Sequence, residues 1–340
     1  MSDSDTSALK ASFANRTDPR PVVVTGGAGF IGSHLVERLL EEGMSVVVID
    51  DCSTGARKNL AACEGHSGLE IRIGKVSEDP ELGRIVSGAQ GVFHLAAAVG
   101  VELVVNSPIR TIETNLKETE AILSAAGRLG TPVLLTSTSE VYGKSQKAEF
   151  SEGDDLLIGP PNLGRWSYAC SKLMDEFLAM AYMRERGLPV TVARLFNTVG
   201  PRQTGAFGMV LPRFIEAARR GVPIRVYGDG GQSRCFCYVK DTVEALVRLS
   251  RSGRARGEVF NIGSTEEVTI LELAKRVVET MRSTSEIVFK PYSEAYAPGF
   301  EDMQRRKPNM TKLEHYTAFR PRTGLEQIIL ETSMASGETA

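Results

Sequence analysis

The 340-residue sequence is short of several things that would point to a particular chemistry. It has only four histidines, and none stands at metal-ligand spacing from another candidate ligand, so no metal site is indicated. Its five cysteines, at 52, 63, 170, 235 and 237, form no CxxC pair and no disulfide framework. No apolar run approaches the ~18 residues that a membrane-spanning helix needs. Charge of one sign is also missing: with a net of −2 there is no global attraction to nucleic acid or to an anionic membrane. The opening, "MSDSDTSALKASFANRTDPR", lacks the apolar centre of an export signal. A reducing cytoplasm is therefore the expected compartment. Residues 1–19 and 332–340 are polar and read as disordered tails.

Apolar residues make up 42% of the chain, ample for a large core. Up to residue 196, short β-rich runs alternate with amphipathic stretches. The runs are "PVVVTG" (21–26), "SVVVID" (45–50), "LEIRIG" (69–74), "GVFHLA" (91–96), "PVLLTS" (132–137) and "VTVARLF" (190–196). Continuous apolar strands separated by helices indicate parallel strands buried on both faces. The expected fold is α/β, a doubly wound parallel Rossmann-type sheet over 20–196. A smaller α/β substrate-binding lobe over 197–331 is expected to follow, with some chain returning to the first domain.

"VVVTGGAGFIGSHLVERLLEEG" is a strand, a glycine turn and a helix. Gly26, Gly29 and Gly32 permit a tight turn that lets a pyrophosphate approach the N–H groups around Phe30 and Ile31; a register starting at Gly27 also fits. Asp50 ends the second strand, where a carboxylate accepts hydrogen bonds from an adenosine ribose and repels a 2′-phosphate. NAD is the expected cofactor, despite Arg57 and Lys58 nearby.

The fifth strand runs into "TSTSEVYG" (136–143), an unusual density of polar groups where an apolar run stops. In an open parallel sheet, ligands bind beyond the carboxyl ends of the strands. Downstream, "GRWSYACSKLMDEFLAMAYMRERG" forms a long helix with Tyr168 and Lys172 at i, i+4 on one face. An ammonium and a cationic nicotinamide beside the phenol would lower its pKa, so that it could take a proton from a sugar hydroxyl as hydride leaves the same carbon. Thr138 would share a hydrogen bond with that hydroxyl. His94, inside an apolar strand, reads as a packed histidine. Asn115 fits a buried structural hydrogen bond and a catalytic role equally well. Of Cys235 and Cys237, alternating around Phe236, one is expected to face the core.

With "TGGAGFIGSHL", "FHLAA", Asn115, "STSEVYG", Tyr168 with Lys172, "RLFNTVGPR", "VYGDGGQSRCF" and "FNIGS", residues 20–330 resemble the extended short-chain dehydrogenase/reductase family of nucleotide-sugar epimerases, dehydratases and decarboxylases. The resemblance implies retained NAD, a nucleoside-diphosphate sugar between two lobes, and a homodimer made through paired helices. It also implies that Ala96 and Ala97 line the nicotinamide pocket and that Asn197 approaches the diphosphate. Tyr227 would lie near the base, and Arg234 and Arg306 near the diphosphate or sugar. Lys75 departs from the acid that many members place opposite adenine, and Asn309 from another common acid.

Thr138-Ser139-Glu140 resembles the UDP-glucuronate decarboxylases. Glu140 has no task in simple 4-epimerisation, and Ser139 stands where dehydratases often carry a second acid. Cys235, after Arg234, is neutral where epimerases and dehydratases commonly have Asp. The implied reaction oxidises C4 of UDP-glucuronate to a β-keto acid, loses CO2, and ends in full or partial re-reduction to UDP-xylose or the 4-keto pentose. In it Ser139 contacts substrate, Glu140 assists at C5, and Arg234 anchors the carboxylate. Alternatives are a 4-epimerase or 4,6-dehydratase on a related UDP- or dTDP-sugar, or a sensor that binds dinucleotide without chemistry. Sensors usually lack the tyrosine or the lysine.

Overall fold

In a computed structural model of the chain, residues 12–100, 107–205, 209–291, 303 and 305–337 are described. The strands are β1 (Val22–Thr25), β2 (Val46–Asp50), β3 (Leu69–Ile73), β4 (Gly91–His94), β5 (Val133–Thr138), β6 (Val190–Leu195), β7 (Thr198–Val199), β8 (Ile224–Tyr227), β9 (Ser233–Cys235), β10 (Cys237–Tyr238), β11 (Val259–Ile262), β12 (Glu267–Thr269) and β13 (Ile287–Lys290). The helices are α1 (Phe30–Glu41), α2 (Leu82–Ser87), α3 (Pro108–Gly127), α4 (Trp166–Arg186), α5 (Val210–Arg219), α6 (Val239–Arg251), α7 (Ile270–Thr280), α8 (Thr311–Thr317) and α9 (Leu325–Gly337).

Seven strands form one parallel sheet in the order β11-β6-β5-β4-β1-β2-β3. All four residues of β1 and all five of β2 are buried, as strands covered on both faces require. On one face Leu35 and Leu39 of α1 pack with Leu246 and Leu249 of α6. On the other lie Ile122 and Leu123 of α3 and Ala179 of α4. The order reverses between β1 and β4, which opens a crevice at the carboxyl ends of those two strands. β11 is the seventh strand: "VFNI" crosses back from the carboxyl-terminal half and pairs with β6. A separate apolar core joins Leu211 and Phe214 of α5, Ile224 and Val226 of β8, Leu273 of α7 and Ile328 of α9.

Both expected tails are corrected in part. Residues 1–11 and 338–340 lie outside the described residues. Phe13, however, is buried with its ring centroid 4.8 Å from that of Phe93, and its N–H bonds to Ser250 O at 2.8 Å. Burying one aromatic side chain is worth about 1.5–3 kcal/mol, enough to hold a polar segment against the body. At the other end α9 continues to Gly337, and Thr332 is buried. Ile328 and Ile329 anchor that helix despite the polar composition of "TSMASG". Among the described residues no helix is long and apolar enough to cross a membrane.

Candidate active site

A cavity of about 730 Å³ occupies the crevice. At one end is the glycine turn. Gly26 has φ +70°, and a Cβ there would meet Ala96 N at 2.7 Å; a Cβ on Gly32 would lie 2.1 Å from Gly26 O. Neither position accepts a side chain, so the turn folds tightly under the start of α1. Gly29 caps that helix without a side-chain hydrogen bond. The first-turn N–H groups at Phe30 and Ile31 are thus left for an anion, and both residues line the cavity. Asp50 accepts hydrogen bonds from Ala28 N at 2.9 Å and Cys52 N at 2.7 Å, and it lines the cavity as well. Burial pushes its pKa up, while those two N–H groups pull it back. An uncapped helix start, a side-chain-free turn and a carboxylate one strand away fit a dinucleotide.

The opposite end is built from side chains. β5 stops at Thr138, whose Oγ1 accepts from Glu140 N at 3.2 Å and so turns Glu140 toward the cavity. Tyr168 and Lys172 line the cavity from α4, as expected of residues one turn apart. Arg306 arrives from the carboxyl-terminal segment. Its Nη2 donates to Ser139 Oγ at 2.9 Å, and its Nη1 lies 3.4 Å from Glu140 Oε1. Ser139 is fully buried. Its expected contact with substrate is replaced by a contact with Arg306, because the short 3₁₀ turn points its hydroxyl into the wall.

Ala96, Ala97, Asn197, Tyr227 and Arg234 also line the cavity. Asn197 Nδ2 donates to Cys235 O at 3.1 Å, Arg234 Nη1 to Ser233 O at 2.8 Å, and the Tyr227 hydroxyl accepts from Arg213 Nη2 at 3.0 Å. Lys75, the departure opposite adenine, lines the cavity and pairs with Glu78 at 2.7 Å. Four cavity-lining arginines were missed from the sequence: Arg165, Arg202, Arg213 and Arg225. Only Arg165 had a local cue, since it precedes Tyr168 by almost one helical turn.

The lowering expected for Tyr168 counts the charge of a bound nicotinamide as well as that of Lys172. In this protein alone the phenol's pKa is raised, not lowered. Burial is the largest cause, and the negative charges of Glu140 and Asp175 add to it. Arg306 and a hydrogen bond from Thr138 pull the other way. Lys172 is held by Asp175, with Nζ 2.9 Å from Oδ2. Its charge is therefore largely matched.

Neighbouring polar residues serve the frame. His94 Nδ1 meets Thr25 Oγ1 at 2.8 Å and its Nε2 meets Thr119 Oγ1 at 3.1 Å; burial and the Lys172 charge push its pKa down to about 3. Asn115 accepts from Ala98 N at 2.8 Å and donates to Ser171 Oγ at 3.0 Å, a structural pairing. Ser137 donates to Glu176, which is itself paired with Arg194 at 2.7 Å. Cys235 and Cys237 are both buried, where one was expected to be, and burial pushes each thiol up to about 12.

Residues 22–263 match the NAD dependent epimerase/dehydratase family. The chain belongs to that family. Its cofactor is NAD, and the turn, the helix start and Asp50 are the groups that fit it. Across 311 residues, 91% of this chain and 95% of the relative, the chain is 42% identical to UDP-N-acetyl-alpha-D-glucosaminuronate decarboxylase of Bacillus cytotoxicus. It is 39% identical over 309 residues to UDP-glucuronic acid decarboxylase 4 of Arabidopsis thaliana, covering 90% of this chain and 66% of that longer protein. Among solved structures, UDP-glucuronic acid 4-epimerase from Bacillus cereus, in complex with UDP-glucuronic acid and NAD, superposes with a TM-score of 0.84 at 27% identity. That match covers 94% of this chain and 100% of the epimerase.

Proposed function

We propose that this family member decarboxylates UDP-glucuronate, by oxidation at C4, loss of CO2 and full or partial re-reduction to UDP-xylose or the UDP-4-keto-pentose. The nucleotide sugar lies between the dinucleotide lobe (20–196) and the lobe formed mainly by 197–331, with Asn197 at the diphosphate and Tyr227 near the base. Tyr168 takes the C4 hydroxyl proton while Thr138 orients that hydroxyl. NAD held by the glycine turn, the start of α1 and Asp50 would supply hydride acceptance at C4 and its return in re-reduction, and its positive charge would act on an otherwise weakly acidic phenol. The ketone is then β to the carboxylate, so the C5–C6 bonding pair can pass into an enolate as CO2 leaves. Glu140 assists proton delivery to C5, and Tyr168 returns its proton to O4.

The observation that carries this reading is the Arg306–Glu140–Ser139 cluster beside the Thr138–Tyr168 pair. A substrate carboxylate next to Glu140 would be repelled in a dry pocket. Arg306 screens Glu140, leaving Arg234 to anchor the substrate carboxylate from β9. A 4-epimerase has no use for this acid–guanidinium pair. The 39–42% identity to two decarboxylases supports the same reaction. It also favours a second reading, in which a 2-acetamido hexuronate is the substrate.

Incubation with UDP-glucuronate, UDP-N-acetylglucosaminuronate and UDP-glucose, followed by mass spectrometry, tests the proposal. CO2 loss from a uronate is the expected result. No mass change selects epimerisation, and water loss selects dehydration. A cytoplasmic homodimer belongs to the same proposal. Ile109 and Ile112 of α3 and Met174 and Phe177 of α4, adjacent helices, expose large apolar surface that a second copy could cover. Sedimentation at monomer mass would remove the dimer.

A further inference from the structure

α4 carries a third ionisable group on the face that holds Tyr168 and Lys172. Asp175 follows them at i+7 and i+3, and it is fully buried behind the cavity wall. Its Oδ2 accepts from Lys172 Nζ at 2.9 Å; the two side chains are 3% and 0% exposed. Oδ1 makes no well-formed hydrogen bond among the described residues; burial pushes the carboxyl's pKa up, while Lys172 and the nearby Thr119 hydroxyl pull it back. Thr119 in turn bonds to His94, which is neutral and tied to Thr25. The next carboxylate, Glu176, is committed to Arg194 and Ser137 and does not serve Lys172.

A buried ion pair adds little net stability over a well-packed apolar pair, because desolvating two charges offsets their attraction. The geometry points to a different use. We propose that Asp175 is a positioning residue for the reaction, holding the Lys172 ammonium against the rear wall of the cavity and offsetting its charge at Tyr168. The charges that act on the phenol come from three segments: Glu140 from the turn after β5, Asp175 from α4, and Arg306 from the carboxyl-terminal segment; Lys172 of α4 and Arg165 just before it line the same cavity. His94 on β4 is neutral. Glu140 and Asp175 both raise the Tyr168 pKa and Arg306 lowers it, so removing Asp175's charge takes away one of the two anions acting on the base.

This inference rests on the reading of Tyr168 as the base, and its test separates the two. The isosteric Asp175→Asn keeps an acceptor oxygen on Lys172 and removes only the charge. The acidic limb of its kcat–pH profile is expected to move about one unit to lower pH, as loss of a nearby like charge requires. Asp175→Leu fills the space without an acceptor, and calorimetric titration should show NAD affinity falling about 10-fold, since Lys172, which the family resemblance puts at the nicotinamide ribose, is no longer held. The NAD titration needs no substrate, so it decides the role of Asp175 even if the wild-type protein releases no CO2. An Asp175→Asn limb superimposed on the wild type, or wild-type NAD affinity in Asp175→Leu, would overturn the proposal. Were the aspartate merely structural, neither readout would move while the fold held.

Discussion

The two ends of the cavity are built on different plans. The dinucleotide end is almost entirely backbone: a turn that excludes side chains, an uncapped helix start and one carboxylate, all within residues 22–52. The sugar end is almost entirely side chain, with Thr138 and Glu140 from the end of β5, Tyr168 and Lys172 from α4, Arg234 from β9 and Arg306 from the carboxyl-terminal segment. A backbone site is rigid because it is the fold, whereas a side-chain site depends on how charges balance once they are buried together. The first should therefore fail by failing to form, and the second by losing chemistry while remaining folded.

Tyr168→Phe tests that division most severely. Turnover should fall about 1,000-fold, within the range of a lost general base, while NAD affinity measured by calorimetry stays within about threefold of wild type. Equal loss of both would break the division. Gly32→Ala should act in the opposite way. Its Cβ would sit 2.1 Å from Gly26 O, backbone against backbone. Denaturant unfolding should show a loss of about 3 kcal/mol, accompanied by loss of NAD binding. Arg306→Ala leaves Glu140 unscreened against a substrate carboxylate. It should lower kcat/KM about 100-fold with little change in NAD binding, and an unchanged kcat/KM would move the decisive cation to Arg234.

The smallest effect concerns the frame between the two ends. His94 is held neutral with a pKa of about 3, against an ordinary value near 6.5. In the unfolded chain its imidazole takes up a proton below pH 6.5; in the folded protein it does not. Stability is therefore complete above pH 6.5 and falls as the pH drops toward 3, by about 2 kcal/mol between pH 6.5 and 5. His34, also held down by burial, contributes a slope of the same sign, so the share of His94 is the difference between wild type and His94→Gln. The Glu42 carboxylate, lowered to about 2 beside Arg16, Arg251 and Arg38, loses its contribution only below pH 4.5 and leaves this window clear. Identical thermal melts for wild type and His94→Gln from pH 5 to 7 would remove His94 from the account.

The same contrast governs how much could be read without the structure. β1, β2, β4, β5 and β6 stand within a residue or two of the apolar runs, because strands buried on both faces leave a continuous signature. The i, i+4 spacing that puts Tyr168 and Lys172 together is a property of any helix. The seventh strand was harder: "VFNI" reads like any short apolar run, and only its pairing with β6 places it in the sheet. Phe13 was hidden for a similar reason, as one aromatic in a polar stretch carries no periodicity. Ser139 has the composition of a substrate contact, but the local turn points it at Arg306.

By itself the sequence determined the doubly wound sheet, the glycine cradle with its Asp50, and the pairing of a tyrosine with a lysine on one helical face. Each follows from periods of two to four residues, over which chain geometry alone dictates direction. Only the tertiary structure decided that Arg306 meets Glu140 from 166 positions away, that Asp175 claims Lys172, and that the phenol begins less acidic than its neighbours suggested. A side chain's proton affinity is summed over every charge and every lost water molecule around it in space, and no spacing along a chain encodes that sum.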